Sequence, residues 1–257
     1  MRTVARLNVT PVKGTRLLHP DRLRLRPAGL PENRLFFLVD EVGGLFSGGD
    51  VGALMQIRSE WDPGRDILAF RFPDGRHLEG SGSELGEALT TDFYGRRVPG
   101  RIVEGPFAEA LSAFVGQPVR LVRCDRPGDA FDVEPLTLVS WASVRDLGEH
   151  GGRGDLDARR FRMNLELEGC EPFEEDTWGG RNVRVGGAVI RVGSQVPRCV
   201  VTTLDPATGA KDFPTLTQIA RHRPRIAGGG GLPFGMYAEV VEPGEIAVGD
   251  RVEPRPA

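Results

Sequence analysis

Short runs of alternating or continuous apolar residues mark the first half of the chain. Val4–Val9 alternates weakly, and Arg22–Arg26 alternates strictly between charged and apolar residues, with the period of two that is typical of a strand. Leu35–Val39 is a continuous apolar run followed by a Gly-containing turn, and Ile67–Phe72 leads into a Pro-Asp-Gly turn that is typical of a hairpin. Many short strands separated by Gly and Pro favour a β-barrel or a β-sandwich.

Three segments carry apolar residues at helical spacing instead. Pro106–Val115 presents one apolar face and is followed by glycine, and Ser140–Leu147 begins at a residue type that caps helices. Thr215–His222 places its apolar residues on one side. A glycine run, Gly228–Gly231, predicts a mobile loop. The whole pattern predicts a mainly β protein of the α+β class with a few short helices.

A polar segment, Arg123–Asp129, interrupts the apolar pattern near the middle of the chain. We place a domain junction there, between a first domain of residues 1–127 and a second domain of residues 128–257. The helix predicted at 106–116 is compatible with either domain. The chain has 257 residues, 39% of them hydrophobic, which is enough for a large core in one or two such domains.

Charge and hydropathy exclude two classes of partner. The net charge of −3 is nearly balanced and no basic stripe is present, so the chain lacks the electrostatic pattern of a nucleic-acid-binding protein. No N-terminal run resembles a signal peptide, and no stretch reaches the roughly 20 apolar residues of a membrane span. We therefore expect a cytoplasmic protein that binds neither nucleic acid nor a membrane.

The three cysteines, Cys124, Cys170 and Cys199, are far apart and odd in number. This spacing is not that of a disulfide framework, and no C-x-x-C pair indicates zinc or an iron–sulfur cluster. Cys199 follows Arg198 and precedes an apolar Val-Val pair and an Asp-Pro-Ala-Thr-Gly turn. We interpret it as a thiol at a buried strand end, at the rim of a core, where a soft metal or an electrophile can reach it. A buried core thiol is the alternative.

Several basic residues stand where they can bind an anion. Arg160, Arg162 and Asn164 alternate, so an extended segment would place them on one side, where guanidinium and amide groups suit a phosphate or a heterocycle edge. Lys13 lies before a glycine at a predicted strand end, and Arg34 precedes an apolar strand. Solvated strand faces and surface ion pairs are the alternative for all of these residues.

Four motifs together resemble those of MOSC-domain proteins, named for the C-terminal domain of molybdenum cofactor sulfurase. They are TPVKGT near the N-terminus, RFRMNLELEGCEPFEEDTW, PRCVVTTLDPATG, and a closing PFG followed by IAVGDRV. The resemblance covers nearly the whole chain. Its first part is similar to the β-barrel domain that precedes MOSC in the mitochondrial amidoxime-reducing component and its bacterial relatives. It implies an N-terminal β-barrel-like domain followed by a β-rich MOSC barrel domain.

The resemblance also implies a site for a pterin-based molybdenum cofactor (molybdopterin). The cysteine of the RC-x-x-TT motif, Cys199 in this sequence, would be both the metal ligand and the catalytic residue. A thiolate suits a soft metal, and the adjacent Arg198 favours the thiolate form. The matching cofactor-binding positions are Lys13, Arg34, Ser140, Arg162, Asn164 and Arg198.

The chain departs from the family pattern at positions that bear on the substrate more than on the cofactor. Trp141 replaces a common glutamate after the serine of the LVSEAS-like segment. After Phe46 the family commonly carries T-x-R, whereas this chain has Ser47-Gly48-Gly49, so one expected arginine is absent.

The resemblance makes a molybdenum-cofactor-dependent oxidoreductase the leading hypothesis, one that reduces N-hydroxylated small-molecule substrates such as amidoximes or hydroxylamines. Some bacterial relatives carry a plant-type ferredoxin domain with C-x4-C-x2-C spacing, and this sequence lacks that spacing. We therefore expect electrons from a separate ferredoxin- or cytochrome b5-type protein. Two alternatives stay open: a sulfur or cofactor carrier that uses Cys199 without turnover, and a non-catalytic cofactor-binding module.

Overall fold

Strands account for most of the regular structure. A computed structural model describes residues 1–49, 51–226 and 230–255, with 41% strand and 18% helix. In chain order the strands are β1 (Thr3–Leu7), β2 (Arg22–Leu25), β3 (Phe36–Val39), β4 (Leu45–Phe46), β5 (Arg58–Asp62), β6 (Ile67–Arg71), β7 (His77–Ser81), β8 (Leu85–Phe93), β9 (Arg96–Val103), β10 (Arg120–Cys124), β11 (Leu136–Ser140), β12 (Leu165–Glu168), β13 (Asn182–Val185), β14 (Ala188–Arg198), β15 (Leu232–Glu242), β16 (Gly244–Ala247) and β17 (Val252–Pro254). The predicted mainly β fold class is confirmed.

Within the described residues, three α-helices lie where the apolar periodicity predicts them. They are α1 (Phe107–Val115), α2 (Trp141–His150) and α3 (Thr215–His222), and 3₁₀ helices occupy Gly52–Gln56, Ala158–Phe161, Glu174–Trp178 and Val200–Thr203. Gly116 ends α1 in the left-handed conformation, with a φ of 78° that glycine adopts without strain. Ser140 caps α2, because its side chain accepts a hydrogen bond from the amide of Ser143.

The first half of the chain builds a five-stranded antiparallel sheet in the order β4-β3-β10-β9-β8 and a three-stranded sheet in the order β5-β6-β7. The antiparallel pairing of β6 with β7 confirms the predicted hairpin. All four residues of β3 are buried. Phe36 meets the ring of Trp61 at 5.3 Å, and Phe37 meets the ring of Phe93 at 5.0 Å, both edge to face. The continuous apolar run therefore reflects a strand that is buried on both faces.

The second half builds a seven-stranded sheet in the order β1-β12-β11-β15-β14-β13-β17. β1 comes from the N-terminus, yet it pairs with β12 so that Leu7 lies opposite Leu165. In the same way β2 pairs with β16. β11 and β12 run parallel, and α2 lies between them in the chain, because a parallel pair needs a crossover connection. The domain boundary between residues 127 and 128 remains a prediction, and the first two strands pair across it.

The helices of the described residues are short. None of those in the ranges 1–49, 51–226 and 230–255 combines the length and the apolar character that crossing a bilayer demands. Of the predicted glycine loop Gly228–Gly231, the first two residues lie outside the described part of the chain.

Candidate functional site

One cavity of about 640 Å³ is lined by residues from both halves of the chain. This volume lies within the range of small-molecule and cofactor sites. The first half contributes the segments around Lys13 and Arg34 and the turn between β8 and β9, and the second half contributes the segments around Arg162 and Cys199. Five of the seven predicted site residues line it: Lys13, Arg34, Arg162, Arg198 and Cys199.

Cys199 directly follows the last residue of β14, so its predicted place at a strand end is confirmed, but it is exposed on this cavity, so the predicted burial of that strand end is wrong. β14 ends at Arg198, and Cys199 is the N-cap of the 3₁₀ helix Val200–Thr203. The carbonyl oxygen of Cys199 accepts hydrogen bonds from the amide and the hydroxyl of Thr202, at 3.2 and 2.9 Å. The Val-Val pair begins this tight turn instead of entering a core, and Val200 is 42% exposed. The backbone at Cys199 is therefore fixed, while its side chain is accessible.

Further contacts hold the segment that follows Cys199. The Asp-Pro-Ala-Thr-Gly sequence forms the predicted turn, in which Oδ1 of Asp205 accepts from the amides two and three residues on, at 2.9 and 2.8 Å. Nη1 of Arg160 donates to the Thr202 carbonyl at 3.1 Å. The same guanidinium pairs with Asp212 through bonds of 3.1 and 3.0 Å. Arg160 thus ties the cysteine segment to a second loop.

Lys13 and Arg34 converge on the carboxylate of Asp132. Nζ of Lys13 donates to Oδ1 at 2.5 Å, and Nη1 of Arg34 donates to Oδ2 at 3.1 Å. Burial lowers the pKa of Lys13 to about 8, although the charge of Asp132 opposes this effect. Burial alone would raise the pKa of Asp132, but the charges of Lys13 and Arg34 hold it well below its usual range. The carboxylate is therefore ionised at neutral pH and orients both cations.

Sequence reasoning missed two residues of this cavity, Asp132 and Arg96. Asp132 lies 119 residues from Lys13 in the chain, and no motif marks it. Arg96, at the start of β9, donates to the carbonyl oxygens of Asp129 and Phe131 at 2.6 and 2.5 Å, which fixes the segment that carries Asp132. No signal in the sequence identifies Asp132, because the burial of Lys13, which makes a nearby opposite charge necessary, is known only from the fold.

Arg162 and Arg198 line the same cavity, and among the described residues neither forms a salt bridge with a carboxylate. Nη2 of Arg162 donates to the Thr15 carbonyl at 2.7 Å. Arg198 donates to the Phe161 carbonyl and lies 5.3 Å from the centre of that ring. Burial lowers the pKa of both guanidinium groups, yet arginine stays charged at neutral pH. Nε of Arg198 is buried, and no described group of the protein accepts its hydrogen bond.

The segment from Arg160 to Asn164 is not extended, so the predicted common face of its polar side chains is wrong. Ala158–Phe161 forms a 3₁₀ helix, and Arg162 follows in the left-handed conformation with a φ of 53°. The alternation of polar and apolar residues resembled the strand period, but it falls on a turn. Arg160 and Arg162 still line the cavity, whereas Asn164 does not.

Ser140 and Asn164 are buried next to the site and act on the backbone. Besides capping α2, Ser140 donates its amide hydrogen to Oε1 of Glu175 at 3.0 Å. Oδ1 of Asn164 accepts from the amide and the hydroxyl of Thr137, at 3.2 and 3.1 Å. Nδ2 of Asn164 donates to the Asn8 carbonyl at 3.2 Å. Asn164 thereby ties the chain after Arg162 to β11 and to the end of β1.

The cavity lining carries a clear excess of positive charge. Among the described residues that line it, Asp132 is the one carboxylate. The cations that line it are Lys13, Arg34, Arg96, Arg160, Arg162 and Arg198. This arrangement suits an anionic ligand, and the thiol of Cys199 on the same cavity offers a soft metal ligand or a nucleophile.

Comparison with protein-family models identifies both parts of the chain. Residues 125–253 match the MOSC domain, and residues 1–118 match the MOSC N-terminal beta barrel domain. The chain belongs to the MOSC domain family. The resemblance that rests on the four motifs is therefore confirmed, together with the N-terminal β-barrel domain that it implies.

The proteins that this chain is similar to include amidoxime-reducing components and a molybdenum cofactor sulfurase. It is 35% identical over 127 residues to mitochondrial amidoxime reducing component 2 of Rattus norvegicus, a match to 47% of this chain and 37% of the relative. It is 29% identical over 244 residues to molybdenum cofactor sulfurase of Anopheles gambiae, covering 83% of this chain and 31% of the relative. It is 26% identical over 279 residues to mitochondrial amidoxime-reducing component 1 of Mus musculus, covering 97% of this chain and 81% of the relative. The matched region is thus about a third of the length of the first two relatives.

Proposed function

We propose that this MOSC protein is a molybdenum-cofactor-dependent oxidoreductase that reduces the N–O bond of N-hydroxylated substrates such as amidoximes and hydroxylamines. The observation that carries the proposal is the exposed thiol of Cys199 on a cavity lined by an excess of cations. The names of the relatives, amidoxime-reducing components and a molybdenum cofactor sulfurase, support the same chemistry.

The residues of the cavity fit a phosphate-bearing cofactor. Arg162 and Arg198 supply guanidinium groups that no described carboxylate neutralises. The buried Nε of Arg198 is a donor that needs an acceptor, and a bound ligand would provide one. Lys13 and Arg34 add positive charge, and Asp132 holds them in place. These four cations would hold the phosphate and pterin of the cofactor.

Cys199 would be the metal ligand, because a thiolate is a soft donor and the side chain of Cys199 is exposed on the cavity. When bound, the cofactor supplies the two-electron redox change of the reaction. The overall reaction breaks one N–O bond, consumes two electrons and two protons, and releases water. The electrons come from a separate ferredoxin- or cytochrome b5-type protein, and the cavity accepts the small-molecule substrate.

The test is expression in a molybdenum-replete host, followed by metal analysis and an assay of benzamidoxime reduction with a chemical electron donor. We expect bound molybdenum and reduction in the wild type and in Cys170→Ser, and loss of both in Cys199→Ser. Absence of molybdenum together with absence of reduction would sink the proposal. A sulfur adduct on Cys199 in the intact-mass spectrum, without reduction, would favour a sulfur carrier instead.

A further inference from the structure

A second cavity, of about 400 Å³, lies beside α2. Its lining consists of Arg6 from β1, of Trp141, Val144 and Arg145 from α2, and of residues 154–159. The volume lies within the range of small-molecule sites. None of the described residues that line this second cavity also lines the cavity around Cys199. It is therefore a separate candidate site, outside the proposed cofactor site.

The loop that forms one wall of the second cavity packs tightly on α2. A Cβ atom on Gly148 would lie 2.2 Å from the carbonyl oxygen of Arg153 and 2.8 Å from Cβ of Leu156, so this close approach requires glycine. The amide of Arg153 donates to the Gly148 carbonyl at 2.7 Å. Leu156 and Val144, both buried, form an apolar floor. The walls are thus fixed by the fold, before any ligand binds.

A buried carboxylate, that of Glu166, orients two side chains of the second cavity. Oε2 accepts hydrogen bonds from Nε1 of Trp141 at 2.7 Å and from Nη2 of Arg6 at 2.5 Å. Nδ2 of Asn8 donates to Oε1 at 2.8 Å. The donor of the Trp141 indole is therefore satisfied by the protein, which leaves its apolar ring as the part available to a ligand.

The charges that line the second cavity are balanced except at one arginine. Arg6 pairs with the buried carboxylate beneath it, and the guanidinium of Arg159 forms bonds of 3.0, 2.8 and 2.5 Å with Asp157. Asp155 is 91% exposed, so water and salt screen its charge. Arg145 is exposed and forms no salt bridge with a described residue. The cavity thus offers an aromatic ring, an apolar floor and one cation without a partner.

We infer that the second cavity binds a small aromatic carboxylate, with its ring against Trp141 and the apolar floor and its carboxylate on Arg145. A guanidinium matches the planar shape of a carboxylate and donates two parallel hydrogen bonds to it. A neutral aromatic compound would leave Arg145 without a partner, and an aliphatic acid such as acetate would leave the indole ring uncovered. The inference goes beyond the proposed function, because it concerns a different cavity.

The test measures the binding of indole-3-acetate to protein prepared with molybdenum, by calorimetry at pH 7. Two further compounds separate the two parts of the recognition: indole-3-acetamide keeps the ring without the charge, and acetate keeps the charge without the ring. We expect the wild type to bind indole-3-acetate at least about tenfold more tightly than either compound. Equal affinities for indole-3-acetate and indole-3-acetamide would overturn the inference.

Arg145→Gln tests the partner of the carboxylate. It should reduce the preference for indole-3-acetate over indole-3-acetamide to about twofold or less, while the affinity for the amide stays that of the wild type. A general structural defect would weaken the binding of both compounds. Arg65→Gln is the matched control, because Arg65 is exposed and lines neither cavity. Binding by Arg145→Gln that is indistinguishable from the wild type would overturn the inference.

Gly154→Leu tests the place of binding. Gly154 lines the second cavity without a positive φ, and a Cβ atom there would lie 3.6 Å from its nearest neighbour, so the backbone accepts a leucine that occupies space at the cavity. We expect the affinity for indole-3-acetate to fall at least about tenfold. Gly64→Leu, at an exposed glycine that lines neither cavity and has no positive φ, should bind like the wild type.

The cations around Cys199 are the other possible source of affinity for a carboxylate, and Arg162→Gln tests them. We expect this variant to bind indole-3-acetate like the wild type, because Arg162 does not line the second cavity. Binding that is lost in Arg162→Gln but retained in Arg145→Gln and Gly154→Leu would place the carboxylate in the first cavity and overturn the inference. None of these measurements depends on whether the protein reduces an N-hydroxylated substrate.

Discussion

Nζ of Lys13 lies 2.5 Å from Oδ1 of Asp132, and this pair connects the two halves of the chain at the cavity. Lys13 is buried, whereas the side chain of Asp132 remains 43% exposed. Arg34 shares the same carboxylate. Asp132 is therefore a positioning residue: it holds two cations at the cavity, and Arg96 fixes the segment that carries it.

Replacing Asp132 with asparagine should lower the free energy of unfolding. The change leaves the buried charge of Lys13 without its partner, and solvent screening at the exposed carboxylate limits the effect to about 1 to 2 kcal/mol. Urea denaturation at pH 7 measures it. Asp74→Asn is the matched control, because Asp74 pairs with Arg76 entirely at the surface, and we expect that variant to unfold like the wild type. Equal behaviour of the two variants would contradict the prediction.

Lys13 should make stability rise with pH above neutrality. Burial lowers its pKa to about 8, so between about pH 8 and its usual value near 10.4 the folded chain binds fewer protons than the unfolded chain. Stability rises wherever the unfolded state binds more protons. From pH 7.5 to 10 the wild type should therefore gain about 1 to 3 kcal/mol relative to Lys13→Met in urea denaturation.

Lys211→Met provides the comparison for this pH profile, because Lys211 is the other lysine of the chain and is exposed. Its profile should run parallel to that of the wild type. If the plots of unfolding free energy against pH for Lys13→Met and the wild type are parallel, the pKa of Lys13 is the same in the folded and unfolded chains, and the prediction is wrong.

Apolar periodicity was enough to locate most elements of this fold. The run at Leu35–Val39 and the helical face at Pro106–Val115 became β3 and α1, because local spacing decides which side chains can share a core. It was not enough for Arg160–Asn164, where alternating polar and apolar residues fall on a 3₁₀ helix and a left-handed residue. At that segment the backbone follows tertiary contacts, such as the bond from Arg160 to Thr202, that no local pattern encodes.

The candidate site depends on contacts between distant parts of the chain. Lys13 and Arg34 reach Asp132 across 119 and 98 residues. Spacing alone left both cations open to interpretation as surface ion pairs, and the motifs placed them with Cys199 only through resemblance. Asp132 carries no motif, so the carboxylate that orders the cations could be identified only from the fold.

Ser140 should contribute to stability and not to ligand affinity. Its hydroxyl accepts the amide hydrogen of Ser143 at 3.1 Å as the N-cap of α2, and it is fully buried outside the cavity lining. Ser140→Ala should lower the free energy of unfolding by about 1 to 2 kcal/mol. The affinity for benzamidoxime and the molybdenum content should stay those of the wild type. A loss of molybdenum without a loss of stability would show that Ser140 contacts the cofactor, as the family resemblance implies. Ser194→Ala is the control, because Ser194 is exposed.

Cys199 should be the fast-reacting thiol of the folded protein. Burial raises the pKa of Cys124 and of Cys170 to about 12, whereas Cys199 is exposed. The thiolate is the reactive form, so at pH 8 the two other cysteines should react at least about 100-fold more slowly with a disulfide reagent such as DTNB. Protein prepared without molybdenum should show one fast-reacting thiol per chain. This thiol should be absent in Cys199→Ser and present in Cys170→Ser.

In protein prepared with molybdenum, the amount of fast-reacting thiol should decrease in proportion to the bound metal, because a thiolate that coordinates the metal cannot react with DTNB. If the amount of fast-reacting thiol is unchanged at full metal occupancy, Cys199 is not the ligand.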